Sequence, residues 1–212
     1  MQERFTDIKA LIEAYGKEGS LHDAELRFLR LDGLDFSGMD LTHVNLSASE
    51  VSNCKFDGCA MGRTFTQDAD LSGCSFRNAN LHDSFFQRVA LNKCDFSGCD
   101  MGEVQMLVSK AKKAIFEQTN LIDSELTGTD LSSAQFLRSS LKNAVLRATD
   151  IDKVVFDTCD LRGADFRKST LHSATYRSVR TEGALFYGKS PWDGAVASED
   201  NWRDLLPTFD GE

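Results

Sequence analysis

Residues 69–101 read ADLSGCSFRNANLHDSFFQRVALNKCDFSGCDM. Cut at every fifth residue, the stretch becomes ADLSG, CSFRN, ANLHD, SFFQR, VALNK, CDFSG and the opening CDM of a further unit. Each unit starts on a small residue and carries a large apolar residue in third place. A helix repeats near 3.6 residues and a strand near 2, so neither explains a period of five.

The period extends far beyond this stretch. Stepping by five from Leu26 to Phe186 visits 33 positions without an insertion or deletion, and 30 are large apolar residues. They comprise 14 Leu, 10 Phe, 3 Met, Val51, Ile151 and Tyr176; the exceptions are Thr66, Ala111 and Thr181. Two places before each centre, 30 of 33 residues are Ala, Ser, Cys, Thr or Val, with Leu29, Leu34 and Met39 departing. Each unit therefore reads small, polar, large apolar, polar, polar. A solenoid explains this, with the small and large residues inward and the other three outward. Phe at 36, 56, 76, 96, 116, 136 and 156, continued by Tyr176, adds a second period of 20 residues. Four units then make one turn, the coil is square in section, and an aromatic ladder runs down one inner face. The only prolines, Pro191 and Pro207, lie near the C-terminus, as a chain needing its N–H groups in a ladder requires.

The units DLSGC (70–74), NLHDS (80–84), DLSSA (130–134) and DLRGA (160–164) resemble the pentapeptide-repeat motif A(D/N)LXX, as do CDFSGCDM and ADLSGCSF. The resemblance covers about residues 24–188. It implies an all-β solenoid, a right-handed quadrilateral β-helix of about eight turns with short helical caps. The expected domains are an N-terminal cap at 1–20, the repeat β-helix at 21–188, and a cap or dimerisation tail at 189–212.

Six cysteines, Cys54, Cys59, Cys74, Cys94, Cys99 and Cys159, all occupy the small inward place. That position makes them buried packing residues, not disulfide partners or zinc ligands, and free buried thiols suit a reducing cytoplasm. At the N-terminus, Phe5, Ile8, Leu11, Ile12 and Tyr15 fall at helical spacing between a capping Thr6 and Gly16. At the C-terminus, Ser198 precedes Glu199 and Asp200, and Trp202, Leu205 and Leu206 follow before Pro207. With Trp192, these residues form either a cap or a surface through which two copies join. Gyrase-protecting members of the family dimerise through C-terminal elements, which implies the second use.

Composition and charge exclude several classes. The net charge is −9, with nearly half of it in the short tail, so a strongly basic nucleic-acid binder is disfavoured. The N-terminus MQERFTDIK is unlike a signal peptide and no apolar run suits a membrane span, so a soluble cytoplasmic protein is expected. His22, His43, His82 and His172 are outward, irregularly spaced and in no local metal-ligand motif. A filled coil leaves no large pocket for catalysis, so neither catalytic residues, a metal nor a cofactor is expected.

Two binding surfaces compete. The resemblance implies a DNA-mimicking regulator or protector of a type II topoisomerase such as DNA gyrase, of the quinolone-resistance or toxin-immunity kind, which needs an acidic stripe. The acids just before each centre are spread instead over all four faces: Asp40, Asp100 and Asp160; Glu50, Asp70, Asp130 and Asp150; Glu25, Glu125 and Asp165; Asp35 and Asp95. Lys93, Lys113 and Lys153 form a basic column with Lys110 and Lys112 nearby. The loop insertions that interrupt many quinolone-resistance members are missing from this regular repeat. The other surface is the face of centres 46, 66, 86, 106, 126 and 146, where Phe65, Phe85, Leu107, Val108 and Val145 fall at outward places. Phe65 either stays outward or swings inward beside the undersized Thr66. Contiguous exposed apolar surface marks a partner site, so the leading expectation is a non-catalytic protein-binding scaffold.

Overall fold

The computed structural model describes residues 20–187. The expected helical N-terminal cap and the tail residues Trp192, Trp202, Leu205 and Leu206 lie outside them. The described residues form a parallel β-solenoid in which paired residues lie one turn, 20 positions, apart.

The strands are three residues long: β1 (Arg30–Asp32), β2 (Glu50–Ser52), β3 (Phe85–Gln87), β4 (Gln105–Leu107), β5 (Ile115–Glu117), β6 (Gln135–Leu137), β7 (Val155–Asp157) and β8 (Thr175–Arg177). They pair as β1–β2, β3–β4 and β5–β6–β7–β8, all parallel. Isolated bridges, such as Ser20 with Asp40 and Asp40 with Ala60, carry the pairing between these sheets. Among the described residues the only helix is a single 3-10 turn at Leu171–Ser173, and no helix is long and apolar enough to cross a membrane.

Most units outside the strands turn a corner by one device, while Leu29, Val89 and Thr119 N–H donate instead to a Ser Oγ one turn on. The centre accepts a hydrogen bond from the N–H three places on, as Leu21 O does from Ala24 N and Phe36 O from Met39 N. Closing so tight a turn requires positive φ at the second residue after the centre. Every positive-φ residue described occupies that place: eight are Gly and twenty-four are not, from Asp23 to Ser178. The polar residue before the centre completes the corner. Asp40, Asp70, Asp100, Asp130 and Asp160 each accept the backbone N–H two places on, at 3.0–3.2 Å, and Asn80 and Asn120 do the same. This local bond explains why Asp or Asn recurs there.

The interior is filled. The rings from Phe36 through Phe156 to Tyr176 stack at 4.5–5.4 Å with interplanar angles of 2–16°. Strand spacing of about 4.8 Å brings these rings to stacking distance, so backbone ladder and aromatic ladder share one repeat. The small inward residues also hydrogen-bond. Ser84 Oγ donates to Met61 O at 2.8 Å and Cys99 Sγ donates to Phe76 O at 2.7 Å, each reaching into the preceding turn.

Candidate functional site

The face of centres 46, 66, 86, 106, 126 and 146, continued one turn back to centre 26, breaks the polar rule outside the coil. The three exposed large apolar residues described, Phe28, Phe65 and Val108, all belong to it. Phe65 points outward with 44% of its surface exposed, which settles its orientation. The centre beside it is filled by buried Thr66, whose Oγ1 donates to Phe85 O at 3.0 Å. Phe65 and Phe85, paired one turn apart, stack outside the coil at 5.1 Å with an interplanar angle of 3°. β3 and β4 set Phe85 against Gln105 and Gln87 against Leu107. Phe65, Phe85 and Leu107 thereby line one groove of about 250 Å³ with Ser47, Gln67, Gln87 and Gln105. Its lining holds no ionisable side chain, so it offers contact area and amide hydrogen bonds but no acid or base.

The other two residues expected on this surface sit apart. Val108 stands at the neighbouring corner, 62% exposed, beside Asp68, Arg88 and Lys110. It has φ of 53°, which is costly for a β-branched side chain. Val145 is half-buried and pairs with Glu125 and Asp165, so Gln105 and Glu125 separate it from Phe85 along the bridge column. Phe28, 71% exposed beneath the Arg27 guanidinium at 4.9 Å, is a further apolar residue on this face that sequence reading passed over. Its place two residues after a centre was the available signal.

The acids divide into two kinds. Most of those before a centre are committed to the corner bonds, and several also join ion pairs between turns, such as Arg77 with Asp95 at 2.6 Å and Lys112 with Asp130 at 2.9 Å. Asp165 is the most enclosed. Burial pushes its carboxyl up, but bonds from the Arg167 guanidinium, the Arg167 N–H and Arg147 outweigh this and hold it below the usual range. Asp83, Glu103 and Asp123 are different. They stand at positive-φ corners on three successive turns, outside that scheme. With Glu125 and Gln105 they line a second depression, so Gln105 joins an acidic patch to the apolar groove. Sorting only the acids that precede a centre misses this patch.

Stacking also gathers residues that local spacing separates. His22 and Asp23 lie one turn from His43. His22 Nε2 is 3.0 Å from Asp23 Oδ2, His43 Nδ1 is 3.1 Å from Asp23 Oδ1, and the two imidazoles are 5.3 Å apart. Two histidines 21 residues apart in sequence are thus neighbours in space.

Two family models match the chain. One describes a pentapeptide repeat region, over residues 69–146, and the other describes pentapeptide repeats in 8 copies, over 20–58 and 139–175. Together they span more than half of the sequence. The chain belongs to the pentapeptide repeat family. Among solved structures, it is similar to a trypsin-treated variant of QnrB1, a plasmid-mediated fluoroquinolone resistance protein, at 21% identity over 77% of this chain and 91% of that one, with a TM-score of 0.61. HetL, a pentapeptide repeat protein involved in heterocyst differentiation regulation from the cyanobacterium Nostoc, matches at 17% identity over 87% of this chain and 97% of its own, with a TM-score of 0.29. No curated protein matches the chain in sequence. At 21% identity the likeness to the QnrB1 variant carries the fold alone.

Within this pentapeptide repeat coil the cysteines are free and buried, as their inward position requires. Burial pushes the thiols of Cys59 and Cys159 up to about 11 and those of Cys74 and Cys99 up to about 12. They remain protonated, poor nucleophiles and poor metal ligands.

Proposed function

We propose that this pentapeptide repeat protein is a non-catalytic scaffold that binds another protein through the Phe65–Phe85–Leu107 groove. The observation that carries the reading is a stacked aromatic pair held outside a coil whose interior already buries nine phenylalanines almost completely. Water gains nothing from such a pair, whereas a partner that covers it removes apolar area worth about 25 cal/mol per Å². The adjoining carboxylates of Asp83, Glu103, Asp123 and Glu125 specify the partner's chemistry. Arg63 neutralises only Asp83, at 3.0 Å. The fitting ligand is a segment with an apolar or aromatic anchor followed by Lys or Arg, its charges steering approach and fixing register. Protonated, buried thiols support a working place in a reducing cytoplasm.

The test is a random peptide library displayed on phage and selected on the folded protein. Enriched sequences should carry an apolar anchor next to basic residues. They should lose binding to the Phe85→Ala/Leu107→Ala double variant and bind Glu103→Lys more weakly. Enriched peptides that bind the double variant as well as the parent would sink the proposal.

A second reading, a DNA-mimicking regulator of a type II topoisomerase, draws on the same acidic corner, because three carboxylates on successive turns form a short negative row. It predicts inhibition or quinolone protection in a gyrase supercoiling assay that Glu103→Lys abolishes and the Phe85→Ala/Leu107→Ala variant does not. The groove reading predicts no effect in that assay.

A further inference from the structure

The corner formed by His22, Asp23 and His43 has the chemistry of a cation site. Asp23 N–H donates to Thr42 O at 3.0 Å and His43 N–H donates to Gly62 O at 3.0 Å, so the ladder fixes both corners. Both residues have φ near 60°, which turns their side chains to the same edge on successive turns. His22 reaches that edge from the place before Asp23, and its own N–H donates to Ser20 Oγ at 3.3 Å. One ligand atom from each of the three side chains lies within 4.8 Å of the others.

We propose that His22, Asp23 and His43 bind a single zinc ion that clips the turn containing Leu21 to the turn containing Leu41. Zinc takes imidazole nitrogen and carboxylate oxygen at about 2.0–2.2 Å, which sets tetrahedral ligand atoms about 3.3–3.5 Å apart. His22 and His43 approach different oxygens of the Asp23 carboxylate, at 3.0 and 3.1 Å, and the three ligand atoms lie within 4.8 Å of one another, so side-chain rotation has to bring both nitrogens around one oxygen at the tetrahedral spacing. Without the ion, His43 Nδ1–H donates to Asp23 Oδ1, and the His22 imidazole stands against Oδ2 as a close polar contact. With it, the tautomers protonated at His22 Nδ1 and His43 Nε2 turn their lone pairs to the metal. Water completes the fourth position, as the site faces solvent. Asp40 adds a second negative charge: the Thr42 hydroxyl and N–H hold its carboxyl low, and both imidazoles act on it in the same direction. Binding favours the stacked turns because separated turns lose the three-ligand set.

The full-length protein, stripped with a chelator, is titrated with zinc alone by calorimetry, and amide exchange is followed with and without the ion. One zinc per chain is expected, with slower exchange at the Leu21 and Asp23 amides. Asp23→Asn and His43→Asn should each weaken binding at least tenfold and abolish the zinc effect on exchange. Asparagine tolerates positive φ, so both variants keep the corner, and their circular dichroism should match the parent. His82→Asn, near Glu103 at another corner, should bind as the parent does. No saturable binding, or binding undiminished in both Asp23→Asn and His43→Asn, would overturn the proposal.

Discussion

Replacing Val108 with Asn should stabilise the protein while removing an apolar residue beside the proposed docking groove. An L-residue in the left-handed region costs about 1–2 kcal/mol, and Val, with φ of 53°, belongs at the upper end. Asn escapes most of that cost because its side chain bonds locally. Against this stands the loss of valine packing. With 62% of Val108 exposed, only about a third of a full burial value of ~1.5–3 kcal/mol is at stake, or roughly 0.5–1 kcal/mol. The net gain for Val108→Asn is then about 0.5–1 kcal/mol, or an increase in Tm of about 1–4 °C for a domain of this size. Val108→Gly should gain less, since glycine's added freedom in the unfolded chain costs about 0.5–1 kcal/mol. Gly73→Ala is the reciprocal control. Gly73 has φ of 76° and nothing within 4 Å of where a Cβ would stand, so its loss of about 0.5–1 kcal/mol isolates the backbone term. Thermal melts by circular dichroism give the order. A lower Tm for Val108→Asn, or an unchanged Tm for Gly73→Ala, would refute the claim that left-handed corners carry strain in this coil.

Three further outcomes follow from the interior and its charges. Phe116 is fully buried between Phe96 at 5.2 Å and Phe136 at 4.5 Å, so Phe116→Ala should cost about 3–5 kcal/mol in denaturant unfolding, and Phe116→Leu much less. Arg167→Ala leaves Asp165 with Arg147 as its one remaining guanidinium partner and should cost about 1.5–3 kcal/mol at neutral pH. Because the folded state holds the Asp165 carboxyl below its ordinary value, this contribution is complete above about pH 4 and is lost as pH falls through the depressed folded value. Acid unfolding of Arg167→Ala should therefore begin at higher pH than in the parent. Iodoacetamide at pH 8 should leave all six thiols unmodified in the folded protein and modify all six in denaturant, because burial raises their pKa values.

The sequence by itself determined the coil. A period of five with one inward place for Leu or Phe and another for Ala, Ser or Cys admits no other regular structure, and Phe every 20 residues set four units to a turn. It also placed Phe85 and Leu107 outside by their register positions, but left Phe65 open between outward and inward beside the undersized Thr66, which the structure settled as outward. The tertiary structure alone decided which outward residues meet. Residues 20 apart become neighbours through the hydrogen-bonded ladder, while residues two or three apart on the chain turn away around a corner. Val108 is one residue from Leu107 yet lies beyond the corner, and Val145 shares the face but stands behind Gln105 and Glu125. The same stacking collects Asp83, Glu103 and Asp123 into one patch and brings His43 to Asp23. The left-handed corners were also legible in part, since Gly, Asn and Asp recur two places after the centres. The Arg, Lys and Val residues at the same places concealed them, because there the ladder and the filled core override the local preference of each residue.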